Sequence, residues 1–185
     1  MCKGYKRKTR GFQQVTLDGT AKEYGDEPLQ IKSKFPHITV AVDKNRLQGC
    51  DFLCHPEKLQ TSKKARHCKD KDMPAADLII LDDAFQHRNI KPTVSIVLVN
   101  YERPVFNDHL MPVGKLRDLP ERLEEAEILI VSKCPQNMNA WQKYTWAEAL
   151  GVERYDASLC MGFRKNGRLQ FIFFTTVTYD TAEAI

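Results

Sequence analysis

Four short, almost unbroken apolar runs, each ended at once by polar residues, constrain this 185-residue chain more than any other feature. They lie at residues 38–42, ended by Asp43; 78–81, ended by Asp82 and Asp83; 94–99, ended by Asn100; and 128–131, ended by Ser132 and Lys133. Runs of this length and composition predict strands buried on both faces of a parallel sheet. Residues 51–60, 121–127 and 141–150 predict helices between or after them, and residues 171–174, continued by 175–179, predict one more strand. The expected fold class is α/β, three-layer, with a mainly parallel sheet. In open parallel sheets the ligand crevice lies at the carboxyl ends of the strands, so the residues that end these runs are where chemistry is sought.

Composition removes several alternatives. A hydrophobic fraction of 42% with a net charge of only +4 is a folded chain, not a disordered one. The longest purely apolar stretches hold about four residues where a membrane-spanning helix needs about 20. The opening residues are basic with no apolar segment behind them, so no secretory signal is read. Six scattered cysteines without repeated spacing read as reduced cytosolic thiols.

The charge is uneven. Lys3, Lys6, Arg7, Lys8 and Arg10 stand in the first twelve residues with no acid, which leaves the remainder slightly acidic. Residues 58–72 form a second basic stretch, with six cations against Asp70 and Asp72. Two basic segments on a slightly acidic body point to an anionic partner; a solvated terminus and a solvated loop are the bland alternatives.

The sharpest local signal is Asp82-Asp83 after four aliphatic residues. This is the form of a Walker B element, whose strand-end carboxylate serves Mg²⁺. Gln86, His87 and Arg88 add polar reach beside it. Gly25-Asp26-Glu27-Pro28 is first of all a turn, but it also suits a carboxylate that accepts a proton from a substrate hydroxyl. Residues 112–117 resemble half a phosphate loop, yet Leu116 follows Lys115 and His109 stands where the first glycine belongs. Cys50, Cys54, His55, His67 and Cys68 match no standard zinc spacing, and Trp141 and Trp146 read as packing residues.

Five segments, at residues 4–12, 25–28, 40–46, 81–88 and 110–117, resemble in sequence and order the tetraacyldisaccharide 4'-kinases, the lipid A 4'-kinases of Gram-negative bacteria. The resemblance spans roughly Lys3 to Pro135, and residues 131–135 look most like the Bacteroidetes branch. It implies a P-loop NTPase-like kinase, peripheral at the cytoplasmic face of the inner membrane. Such an enzyme moves the γ-phosphate of ATP to the 4'-hydroxyl of a lipid A disaccharide 1-phosphate. By the same resemblance, Asp82 and Asp83 serve Mg²⁺, and Asp26 is the candidate base or orienter with Glu27 beside it. Gln86 and His87 line the crevice, and Arg7 and Arg117 contact phosphate.

The chain departs from the family pattern in several places. No stretch fits G-x-x-x-x-G-K-[ST], and the family's hydrophobic N-terminal helix and later catalytic His are not matched. Asp118-Leu119 stands where Glu-Pro usually follows the Arg. The expectation is therefore a single partial kinase domain over residues 1–185, without the phosphate-loop strand, soluble and inactive by itself. A non-catalytic anion- or glycolipid-binding remnant is the rival reading. Nucleic acid is not expected, because the basic stretches lack a recognised module with stacking aromatics.

Overall fold

The apolar run at residues 38–42 forms a strand of only two residues. In the computed structural model, which describes residues 1, 2, 4, 7–116 and 118–177, β1 (Gln13–Gln14) pairs antiparallel with β2 (Ala41–Val42). Alternation along this ribbon sorts its side chains into two clusters. Ala41 joins Phe12, Phe52, Leu59 and Ala65 on one side, while Val40 and Val42 join Cys2, Val15 and Tyr24 on the other. Phe12 meets Phe52 edge to face at 5.3 Å. These elements belong to the first of two compact units, Met1–Lys91; the second is Pro92–Ile185.

Helices in the first unit follow their local chemistry. α1 (Ala21–Tyr24) is opened by a Thr20–Glu23 capping box. Gly25, at φ 94°, then turns the chain directly into α2 (Asp26–Lys34), so the Gly-Asp-Glu-Pro tetrapeptide is a helix start and not a free turn. Pro28 fits there because the first turn of a helix lacks N–H partners in any case. The helix expected over 51–60 is instead α3 (Arg46–Cys54) followed by α4 (Lys58–Thr61). Pro56 disfavours helical geometry at His55 and divides them. Asn45 caps α3 by accepting from the Gln48 N–H at 3.1 Å.

The run at 78–81 does not form the predicted buried strand. Leu78 is 79% exposed and Ile80 74% exposed, and the described backbone pairing here is with Met1 alone, through Ile80 and Asp82. A continuous apolar run forms a buried strand only where neighbours pair its edges and cover its faces.

In the second unit a five-stranded mixed sheet has the order β3-β4-β7-β6-β5. β3 (Ile96–Asn100), β4 (Ile128–Ser132) and β7 (Leu169–Phe174) run parallel; β6 (Met161–Arg164) and β5 (Val152–Asp156) continue antiparallel. β3 is an edge strand that leaves Ile96 and Leu98 exposed, so the run at 94–99 is not covered on both faces as expected. Residues 120–125 form a 3-10 segment in place of the predicted helix, because Glu127 and Ile128 already donate to Ser95 at the start of the sheet. α5 (Ala140–Ala149) matches its prediction, and Trp146 packs in an aromatic group, stacking on Tyr101 at 4.8 Å. β7 ends at Phe174; the expected extension to Tyr179 runs partly outside the described residues.

This sheet has a polar pin. Gln170, fully buried, donates to the carbonyls of Leu123 and Ala126 at 2.8 and 2.7 Å and accepts from Arg164 Nε at 2.8 Å. Arg164 in turn donates to the Leu150 carbonyl. Replacing Gln170 by Leu removes a donor from the Leu123 and Ala126 carbonyls and the acceptor from Arg164 Nε, all of them buried; the Leu123 carbonyl keeps only the Ala126 N–H and the Arg164 guanidinium only the Leu150 carbonyl. We expect a loss of about 3 kcal/mol or more in urea unfolding; a loss below about 1 kcal/mol would show that the pin is dispensable.

Candidate functional site

Gly11 decides how the two basic segments meet. At φ 73° it lies so close to the backbone of Lys64 that an added Cβ would stand 2.1 Å from the Lys64 carbonyl oxygen. The next residue, Phe12, donates its N–H to that same carbonyl at 3.2 Å and buries its ring completely. The basic opening and the basic stretch at 58–72 are thereby fastened side by side.

Between them lies a cleft of about 1100 Å³. Its lining includes Lys8, Arg10, Lys44, Arg46, Lys63, Lys64 and Arg66, with Asp43 as the one carboxylate among the described residues that line it. Asn45, Arg46, Leu47 and Gln48 also line it, so the N-terminal turn of α3 opens into the cleft. Cations and a helix N-terminus act in the same direction, toward binding an anion.

Asp43 and Arg46 are the two buried charges of this wall, at 2% and 4% exposure. Asp43 accepts from the Asn45 N–H and the Gln48 amide, each at 3.0 Å. Burial pushes its carboxyl above the ordinary value, and these donors with the Arg7 guanidinium pull it back only in part. Arg46 reaches the acidic turn: its guanidinium donates to the carbonyls of Asp82 and Asp83, at 2.5 and 3.0 Å. Asp83 holds φ 45°, a left-handed conformation that aspartate enters at modest cost.

The predicted site residues divide. Asp82 and Asp83 lie exposed on the turn that Arg46 holds, and His87 lines the basic cleft. Gln86 is exposed in the same segment. Arg7 sits beside Asp43 and donates to the Gly11 carbonyl at 2.7 Å and to Thr9 Oγ1 at 3.4 Å, so both arms of its fork have partners. Asp26 and Glu27 are exposed in the first turn of α2; Asp26 lines a separate depression with Leu29, Gln30, Ser33 and Lys34. Arg117 lies outside the described residues. Among the described residues no three His, Cys, Asp or Glu side chains gather as a metal cluster. The Asp82–Asp83 donor set still fits Mg²⁺, which usually takes one or two carboxylates and completes its shell with water and phosphate.

The profile of the tetraacyldisaccharide-1-P 4'-kinase family, LpxK, matches residues 1–169. The chain belongs to this family. It is 35% identical to the tetraacyldisaccharide 4'-kinase of Phocaeicola vulgatus over 179 residues, which are 97% of this chain and 41% of that protein. With its counterpart from Bacteroides thetaiotaomicron it shares 38% identity over 173 residues, 94% of this chain and 41% of the relative. The chain thus spans about two fifths of the length of these relatives. A crystal structure of LpxK from Aquifex aeolicus in complex with ATP superposes with a TM-score of 0.53 at 28% identity, covering 70% of this chain and 36% of that one. This neighbour bears out the P-loop NTPase-like α/β class, and the family match runs well past Pro135.

Residues 40–46 stand out in the sequence only through the family resemblance, and residues 58–72 point to an anionic partner or a solvated loop without singling out any one side chain. Asp43, Lys44, Arg46, Lys63, Lys64 and Arg66 were therefore missed as site residues in this LpxK-family chain. The available signal was the shared sign of the two basic stretches; their proximity was not available.

Two outcomes are expected. Gly11→Ala forces a left-handed alanine against the Lys64 carbonyl and lowers stability by more than about 1 kcal/mol, measured by urea unfolding. The Asp43 carboxyl has a raised pKa in the fold, so its stabilising protonated form is present below the ordinary value of 3.8 and is lost as pH rises through the raised value. Asp43→Asn should remove that decline from the stability–pH curve; an unchanged curve would mean Asp43 is not the group responsible.

Proposed function

We propose that this chain carries part of the catalytic apparatus of an ATP-dependent kinase acting on tetraacyldisaccharide 1-phosphate in lipid A synthesis, with the 4'-hydroxyl as acceptor. The observation that carries the reading is the Asp82–Asp83 turn clamped by buried Arg46 in a chain of this family. Asp82 and Asp83 would hold Mg²⁺, which neutralises charge on the nucleotide phosphates. Arg46 keeps both carboxylates on a fixed backbone without itself neutralising them, because its donors go to carbonyls. Asp26, at the start of α2, would take the proton of the acceptor hydroxyl, with Glu27 next to it. Arg7 and Arg117 would meet phosphate oxygens, and Gln86 and His87 would line the approach.

The working place would be the cytoplasmic face of the inner membrane, where anionic lipid favours exposed cations. Among the described residues no helix is long and apolar enough to cross a membrane. That fits a peripheral attachment of the part described.

The test is transfer of labelled γ-phosphate from ATP to tetraacyldisaccharide 1-phosphate. In the kinase that contains this sequence, Asp82→Ala should lower kcat by about 100-fold or more. Arg46→Lys should lower it less, since one donor remains for the turn. The 185 residues alone should transfer little or no phosphate, because no stretch of them fits the G-x-x-x-x-G-K-[ST] pattern that grips the β- and γ-phosphates. Robust transfer by these residues alone, abolished by Asp82→Ala, would overturn that expectation. Magnesium-independent binding of the phosphorylated glycolipid without ATP binding would favour the non-catalytic reading, which the basic cleft makes physically reasonable.

A further inference from the structure

The sheet of the second unit is covered on one face and open on the other. Its register sets Ile96, Ile128 and Phe171 in one row across β3, β4 and β7, and Leu98, Ile130 and Phe173 in the next. Met161 pairs with Phe171, and Phe163 with Leu169, so the same side continues into β6. Every one of these side chains is apolar. On the opposite side Leu129, Val131 and Ile172 are completely buried. On this side Leu98 is 68% exposed and Ile96 53%, and Phe171 and Phe173 remain 37% and 39% exposed.

Such a face needs an occupant, and its composition indicates which kind. A soluble monomer rarely leaves a contiguous apolar patch larger than a few hundred Å². Interfaces between unlike proteins carry about one hydrogen bond per 100–200 Å², whereas contacts between identical subunits are more apolar. No side chain in the two rows can donate or accept a hydrogen bond, so the face offers an unlike partner nothing directional to read. Charge enters only at the border with β5, where the Arg154 guanidinium lies over the Phe163 ring at 5.2 Å. A second copy of the same face has the same shape and the same lack of polar groups. Two copies together would remove roughly 1,000 Å² from water, the size at which specific interfaces begin.

We propose that this face binds a second copy of the chain, the two sheets packing against each other about a two-fold axis with Leu98, Ile130 and Phe173 at the centre. Facing sheets pack about 10 Å apart with their inner side chains interdigitated. Each copy uses the same patch, so the assembly closes at two. The contact uses none of Asp26, Asp82 or Asp83, and it stands whether or not the chain belongs to an active kinase.

Sedimentation velocity on the purified chain over a range of concentrations tests this. The unaltered chain should reach the mass of two chains by about 100 μM and grow no further. Leu98→Lys and Phe173→Lys, each placing a charge in the apolar contact, should each raise the dissociation constant tenfold or more. Phe173 lies two strands in from the β3 edge, so it separates contact through the face from pairing along that edge. Leu17→Lys, which alters an exposed leucine of the first unit, should leave the dissociation constant unchanged. Methyl resonances of Ile96 and Ile130 in the unaltered chain should shift on dilution, a readout that does not depend on how any variant folds. A chain that stays monomeric at about 100 μM, or a mass that keeps rising beyond two, would overturn the proposal. So would a dimer weakened by Leu98→Lys but not by Phe173→Lys, which would be a pairing of β3 edges.

Discussion

The close approach of Gly11 to the backbone of Lys64 is the constraint on which the first unit turns. A side chain at Gly11 would collide with the Lys64 carbonyl, and the neighbouring Phe12 both donates to that carbonyl and fills the core beside Phe52. Apolar burial on one side of the strap thus holds charge on the other. Burial of a phenylalanine side chain is worth about 2–3 kcal/mol. The concentration of positive charge is a consequence of packing that the charges themselves would not favour.

Arg46 makes the second connection. Its guanidinium is withdrawn from water and held by two backbone carbonyls, so it serves as a structural clamp on a segment that has almost no regular secondary structure. Asp82 and Asp83 gain a defined backbone from this clamp while their carboxylates remain exposed, which suits groups that must meet a hydrated cation. In the second unit a comparable task falls to Gln170 and Arg164, which tie the 3-10 segment, the sheet and the end of α5 through buried hydrogen bonds. In both units a buried side chain with several donors replaces regular secondary structure where the backbone is irregular.

The legible part of the fold was the part governed by local rules. α5 follows from its helix formers and β4 from its unbroken aliphatic run, whereas the break between α3 and α4 at Pro56 was not anticipated in the single helix expected over 51–60. The run at 78–81 was misread because an apolar run reports what a strand can bury, whereas strand formation also needs paired edges. β5 and β6 went unread because their apolar content is low and they depend on tertiary partners: β6 pairs with β7, and β5 pairs with β6 and packs against α5.

For the site, the sequence alone fixed the family and the acidic pair, since Asp82-Asp83 and the accompanying motifs are contiguous and their order survives in a linear string. It also fixed the presence of two basic stretches. Only the tertiary structure decided that those stretches share one cleft, that α3 opens into it, and that Arg46 binds the cleft to the acidic turn. The physical reason is that charge is additive along a sequence but its effect depends on distance, and the approach of the two basic stretches is set by an uncharged glycine and a buried phenylalanine.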